Sequence, residues 1–127
     1  MKVENCDVVI IGSGVAGLIC ALTLSKKFKI ILLTKKKLQD SNSYLAQGGI
    51  SVCRGKEDRE EYIEDTLIAG HYKNDKRAVE ILVDESEEAV NTLIENGVKF
   101  TGDKKGLFYT REGGHRKFRI LYCEDQT

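Results

Sequence analysis

Proline is absent from this 127-residue chain, histidine occurs twice and cysteine four times. With no internal repeat or low-complexity segment either, repeat arrays and proline-rich linkers are excluded. No apolar stretch approaches the roughly 20 residues of a membrane-spanning helix. An excess of charge is also missing. The 20 basic and 20 acidic side chains cancel, which argues against a general nucleic-acid or anionic-membrane partner. Cys6, Cys20, Cys53 and Cys123 form no CxxC pair, and His71 and His115 lie far apart in the sequence, so metal binding has little support. Free thiols, buried or half-buried in a reducing compartment, are the expectation. Residues 1–5 are too short and polar to lead a signal peptide, and a cytoplasmic protein is expected. What remains is an ordinary globular composition, 41% hydrophobic, long enough to bury a core as one domain.

The most informative stretch is Cys6-Asp7-Val8-Val9-Ile10-Ile11-Gly12-Ser13-Gly14-Val15-Ala16-Gly17. Val8 to Ile11 show no polar alternation, as expected of a strand covered on both faces. Leu18 to Leu24 then carry the apolar spacing of a helix packed on a sheet. Between them, Gly12-x-Gly14-x-x-Gly17 matches a phosphate-binding turn. Gly12 would make the tight turn, Gly14 would let backbone approach a pyrophosphate, and Gly17 would allow close helix–strand contact. The N–H groups and positive dipole end of the helix would then supply anion binding without a basic side chain. Such a motif is weak alone, but here a strand precedes it and a helix follows.

That helix is expected from Val15 to Lys26 or Lys27, and Ile30 to Thr34 read as a second apolar strand. The two strands and their crossover make one right-handed βαβ unit, the front half of a mononucleotide-binding fold. At the end of the second strand, where such folds commonly place an acid for a ribose, stand Thr34-Lys35-Lys36-Lys37. Lysine only donates hydrogen bonds. A reader of the NADP 2′-phosphate and a solvated basic turn are both compatible with it.

Leu38 to Arg54 read as a loop in which Asp40, Ser41 or Asn42 could cap a short helical turn and Gly48-Gly49 could admit a flat ligand. Glu57 to Ala69 read as a helix with Tyr62, Ile63, Thr66 and Leu67 on one side, acidic charges on the other, and Gly70 at its end. Asp75 caps a further helix, Ser86 restarts another, and Asn96-Gly97 ends it; the acidic run Asp84 to Glu88 reads as a solvated face around the break. Val98 to Thr101 and Gly106 to Thr110 suggest a hairpin around Gly102 to Lys105. In Thr110-Arg111-Glu112-Gly113-Gly114-His115, Arg111, Glu112 and His115 fit either a site or a surface ion-pair cluster. Two parallel strands do not complete a doubly wound sheet, so the first strand would keep an open edge. The chain therefore reads as the beginning of a larger protein or a truncated copy of one.

Four segments together resemble the N-terminal part of the L-aspartate oxidases, within the succinate dehydrogenase and fumarate reductase flavoprotein superfamily. They are Asp7 to Gly17, Tyr44-Leu45-Ala46-Gln47-Gly48-Gly49-Ile50, Glu64-Asp65-Thr66-Leu67-Ile68-Ala69-Gly70, and Thr110 to His115. The resemblance implies an α/β fold, the N-terminal portion of a Rossmann-like FAD-binding domain with an incomplete sheet. The rest of that domain, a capping domain, a C-terminal helical domain, an acid/base arginine and substrate histidines would lie beyond Thr127. FAD would be cradled by Gly12, Ser13, Gly14, Val15, Ala16 and Gly17, with Lys35 near its adenosine. A hydroxyl residue and lysine at Thr34-Lys35 resemble the family's own pattern, which lowers the NADP reading. Asn42, Ser43, Tyr44, Leu45, Ala46, Gln47, Gly48 and Gly49 would follow the cofactor toward the flavin.

Two positions bear on which relative this is. Asn42 stands where the covalent flavoproteins carry a histidine, which implies noncovalent FAD. Glu112 stands where dicarboxylate relatives carry phenylalanine, and a carboxylate there would attract the ammonium of L-aspartate. The resemblance thus implies oxidation of L-aspartate to iminoaspartate in NAD biosynthesis, oxygen or fumarate as electron acceptor, and functional coupling to quinolinate synthase. Arg116 to Arg119 and Tyr122 to Glu124 depart from the family's usual residues. A succinate dehydrogenase or fumarate reductase relative, or an inactive nucleotide-binding fragment, are the competing readings.

Overall fold

The computed structural model describes residues 3–46 and 48–123. They divide into two compact units, Met1–Gln47 and Gly48–Thr127. Gln47, one of the residues expected to follow the cofactor, lies outside the described residues. No helix among the described residues is long and apolar enough to cross a membrane.

The first unit is the expected βαβ unit. Strands β1 (Val8–Ile11) and β2 (Ile30–Leu33) pair in parallel, with Val8 opposite Ile30 and Ile11 opposite Leu33. Helix α1 (Val15–Leu24) crosses between them and stops two or three residues short of the expected end, where Ser25 to Lys27 form a turn. Coverage of β1 on both faces is not met within the described residues. Ile10 is buried, but Val9 is 52% and Ile11 86% exposed, and no residue of α1 is buried. The unbroken apolar run is therefore satisfied here on one side only.

The expected loop from Leu38 to Arg54 holds more structure than its composition suggests. A 3-10 turn at Leu38–Asp40 leads into the short helix α2 (Asn42–Leu45), and Ser41 caps it by accepting the Tyr44 N–H at 3.2 Å. In the second unit, β3 (Ile50–Ser51) pairs antiparallel with β7 (Ile120–Leu121), which also pairs with β6 (Tyr109–Thr110). This three-stranded sheet, of order β3-β7-β6, was not expected from the sequence. Its strands are two residues long and come from distant segments, so no local periodicity announces them.

Helices α3 (Lys56–Ala69), α4 (Lys76–Asp84) and α5 (Ser86–Glu95) agree with the expected boundaries to within a residue, and Asp75 caps α4 by accepting the Ala78 N–H at 2.9 Å. Tyr62, Ile63, Leu67, Val79 and Val83 form one apolar cluster; Val52, Val90 and Leu121 form another. The expected separation of apolar and acidic sides on α3 needs correction. Asp58 and Asp65 are buried, because they share a helical stripe with Tyr62 at spacings of four and three residues. The hairpin is also shifted: β4 (Gly102–Asp103) and β5 (Gly106–Leu107) pair around Lys104-Lys105, so part of the expected turn is strand. Of the thiols, Cys6 and Cys53 are half-buried, whereas Cys20 and Cys123 are exposed, contrary to expectation.

Candidate functional site

In the first unit, the parallel pairing brings the ends of β1 and β2 side by side, and the Gly12 N–H extends the pairing to the Leu33 carbonyl at 2.8 Å. Gly12 then adopts φ +110°, a conformation that glycine enters freely and other residues rarely do. A β-carbon at Gly17 would run into the Gly12 carbonyl oxygen, so only glycine lets α1 start this close to the turn. At Gly14 a β-carbon would meet the Ser43 Oγ at 3.4 Å. The first described bond of the α1 ladder is Leu18 N–H to the Gly14 carbonyl, which leaves the N–H groups of Val15, Ala16 and Gly17 ahead of it. Ser43 accepts the Val15 N–H at 3.0 Å. The turn is a backbone cradle at the positive end of a helix, with the Ser43 hydroxyl at its edge on the Val15 N–H. That donor set suits a pyrophosphate.

Ser13 is buried, and its hydroxyl is 3.0 Å from that of Thr34, one residue beyond β2. Its side chain therefore ties the two strand ends together. Beside it, Lys35 to Lys37, Asp40 and Ser41 line a hollow of about 220 Å³ with Ser13 and Thr34. Lys35 thus borders the same hollow as the glycine turn. Asn42, Tyr44, Leu45 and Ala46 are exposed, and of this segment it is Ser43 that meets the turn through the Val15 N–H.

In the second unit, Gly48 and Gly49 have φ +109° and +87°. Gly49 is required by packing, because a β-carbon there would strike the Leu121 carbonyl. Gly48 faces Glu112: the carboxylate oxygens lie 3.7 and 3.8 Å from the position of a Gly48 β-carbon. Of the predicted Arg111, Glu112 and His115 group, the three side chains do not form one cluster. Arg111 packs on the Phe118 ring, while the His115 Nε2 lies 3.2 Å from the Ser51 Oγ and its Nδ1 3.1 Å from Arg119.

Sequence reasoning missed what anchors this region. Arg119 is 0% exposed and donates to Asp58 through Nε and Nη2 and to Asp65 through Nη1, at 3.2, 2.7 and 2.6 Å. Arg116 binds Asp65 with both its backbone N–H and its guanidinium. Burial pushes both carboxyls up. For Asp58, hydrogen bonds from Arg119 and the Arg54 N–H, with the charges of Arg119 and Lys117, outweigh burial and hold it below the ordinary aspartate value. For Asp65, the Arg116 N–H and the Arg119 and Arg116 side chains do the same. The readable signal was the stripe of Asp58, Tyr62 and Asp65 on an otherwise apolar face.

A sequence profile of the FAD binding domain family matches residues 7–127. The chain is 50% identical over 121 residues to the L-aspartate oxidase of Clostridium perfringens, covering 95% of this chain and 28% of that protein. To the L-aspartate oxidase of Neisseria meningitidis it is 41% identical over 124 residues, covering 97% and 25%. Among solved structures, it resembles Mycobacterium smegmatis Sdh1 in complex with UQ1 with a TM-score of 0.84 at 25% identity, covering 98% and 22% of the two chains. A quinol-fumarate reductase with menaquinol molecules matches with a TM-score of 0.86 at 25% identity, covering 100% and 23%. The chain thus spans about a quarter of the length of the curated relatives it matches.

Proposed function

The chain belongs to the FAD binding domain family, and from that premise we propose that it is the N-terminal part of a flavoenzyme that oxidises L-aspartate to iminoaspartate. The cofactor is FAD. Residues 1–127 would begin its FAD-binding domain, with the rest of that domain, a capping domain and a helical domain in the remainder of the enzyme. The relatives are about four times as long as this chain, which leaves room for such a remainder.

The backbone cradle of Gly12, Ser13, Gly14, Val15, Ala16 and Gly17 would hold the FAD pyrophosphate, and Lys35 would donate toward the adenosine part. Asn42, Ser43, Tyr44, Leu45, Ala46, Gln47, Gly48 and Gly49 would run along the cofactor. An amide at Asn42 has no ring nitrogen to bond a flavin, so FAD would be held noncovalently. When bound, FAD supplies the electron sink for the oxidation.

The observation that supports the substrate is the Glu112 carboxylate facing Gly48, while Arg111 of the same loop packs on the Phe118 ring. Its carboxylate would take the ammonium group that L-aspartate has and succinate lacks, orienting the amino acid by a charge-assisted hydrogen bond. Oxygen or fumarate would reoxidise the enzyme. Its product, iminoaspartate, would pass to quinolinate synthase in the cytoplasm. Complete catalysis would need groups outside these residues, so the 127-residue chain alone would show no oxidase turnover.

Anaerobic mixing of the FAD-loaded enzyme with each acid tests the reading. L-aspartate should bleach the flavin absorbance and succinate should not. Bleaching by succinate alone would favour a succinate dehydrogenase or fumarate reductase type of enzyme.

A further inference from the structure

His115 joins the Glu112 turn to the strand that follows Gly48. Its Nδ1 lies 3.1 Å from Arg119 Nη1 and its Nε2 3.2 Å from Ser51 Oγ. A guanidinium can only donate, so Nδ1 is the acceptor and the ring carries its proton on Nε2, directed at Ser51. Arg119 is not free to turn away, because Asp58 and Asp65 take hydrogen bonds from its three nitrogens in a fully buried site. The His115 N–H also closes the turn onto the Glu112 carbonyl at 3.1 Å, with Gly114 at φ +106°. Ser51 lies in β3, three residues after Gly48, which faces the Glu112 carboxylate. His115 therefore ties the Glu112 turn, through its backbone N–H, to β3, through its imidazole.

We propose that His115 is a positioning residue for substrate recognition. Locked as its Nε2–H tautomer between Arg119 and Ser51, it holds the Glu112 carboxylate over Gly48 and so sets how tightly an ammonium-bearing substrate is held. The proposal rests on Glu112 as the ammonium partner, as argued above. His115 itself touches no substrate. The ion pairs of Asp58 and Asp65 with Arg116 and Arg119 do not pass through Ser51, so the Ser51 arm can be removed without dismantling them.

Two substitutions separate the arms. In His115→Asn the amide oxygen stands near the place of Nδ1 and can still accept from Arg119, but the shorter side chain no longer reaches Ser51. In His115→Gln an amide N–H stands near the place of Nε2 and restores that donor. In the FAD-loaded holoenzyme, His115→Asn should raise the KM for L-aspartate about tenfold with kcat changed less than about twofold, and His115→Gln should recover most of the KM. Both should retain FAD. An unchanged KM in His115→Asn overturns the proposal.

Two spectroscopic readouts stand apart from turnover. With ¹⁵N-labelled histidine, the ring signal lost in His115→Gln should show a bare Nδ1 and a protonated Nε2. The Gly48 amide resonance should move on Glu112→Gln in the otherwise unaltered protein and stay still when His115→Asn is also present. A ring protonated on Nδ1, or a Gly48 response that survives His115→Asn, overturns the proposal. If these signatures hold while the unaltered enzyme does not oxidise aspartate, the positioning of Glu112 stands and the substrate reading is the part that fails.

Discussion

Arg119 meets Asp58 side-on inside the second unit, with Nη2 2.7 Å from Oδ1 and Nε 3.2 Å from Oδ2, and neither side chain is more than 3% exposed. Two residues 61 positions apart thus form a bidentate buried pair, which Asp65 extends by accepting from Nη1. Such a pair adds little net stability over an apolar replacement of all its members, but removing one member strands the others without compensation.

Arg119→Met should therefore destabilise the fold by about 3–5 kcal/mol, leaving two buried carboxylates short of a partner. Urea unfolding followed by far-ultraviolet circular dichroism checks this. A loss under about 1 kcal/mol, the scale of an exposed pair, would mean that the guanidinium is not buried as described.

Acid should act through the same groups. Asp58 and Asp65 have carboxyls held below the ordinary aspartate value in the folded state. Their contribution is therefore complete above that ordinary value and is lost as pH falls through the folded values, where protonation removes the charge facing Arg119. The urea midpoint should stay level from about pH 7 to pH 5 and drop below about pH 4. In Asp58→Asn the midpoint should start lower and the acid drop should be shallower. An equally steep drop would assign the acid sensitivity to other carboxyls.

Gly17 offers a test of the turn. With the Gly12 carbonyl in the path of a β-carbon, Gly17→Val must push α1 away from β1 and displace the N–H groups of the cradle. FAD affinity should fall at least about tenfold, the scale of losing one charge-assisted hydrogen bond. Retention of flavin through gel filtration, or quenching of its fluorescence, reports it. Unchanged affinity would mean that the cradle is not where the pyrophosphate sits.

Much of the first unit was legible because its signals are local. An apolar run, a glycine spacing and a second apolar run are each contiguous, and β1, α1 and β2 follow them. Caps were similarly legible: Asp75 and Ser41 each act on an N–H three residues on. The second unit depends on partners far apart in the chain. The stripe of Asp58, Tyr62 and Asp65 hints at burial, but nothing near it reveals that Arg119, 61 residues from Asp58 and 54 from Asp65, will pair with both carboxylates. The short strands β3, β6 and β7 were invisible for the same reason. Of the candidate site, Gly12, Gly14, Gly17, Lys35, Gly48 and Glu112 could be named from spacing and resemblance. Ser51 and Arg119 could not, since their roles depend on distant contacts with His115 and on burial.

The central claim is that Glu112 selects an ammonium-bearing acid. The ratio of kcat/KM for L-aspartate to that for succinate, compared between the FAD-loaded enzyme and Glu112→Phe, tests it most directly. Losing a hydrogen bond to a charged group should lower that ratio by about 10- to 100-fold. An unchanged ratio, with FAD still bound, would contradict the account.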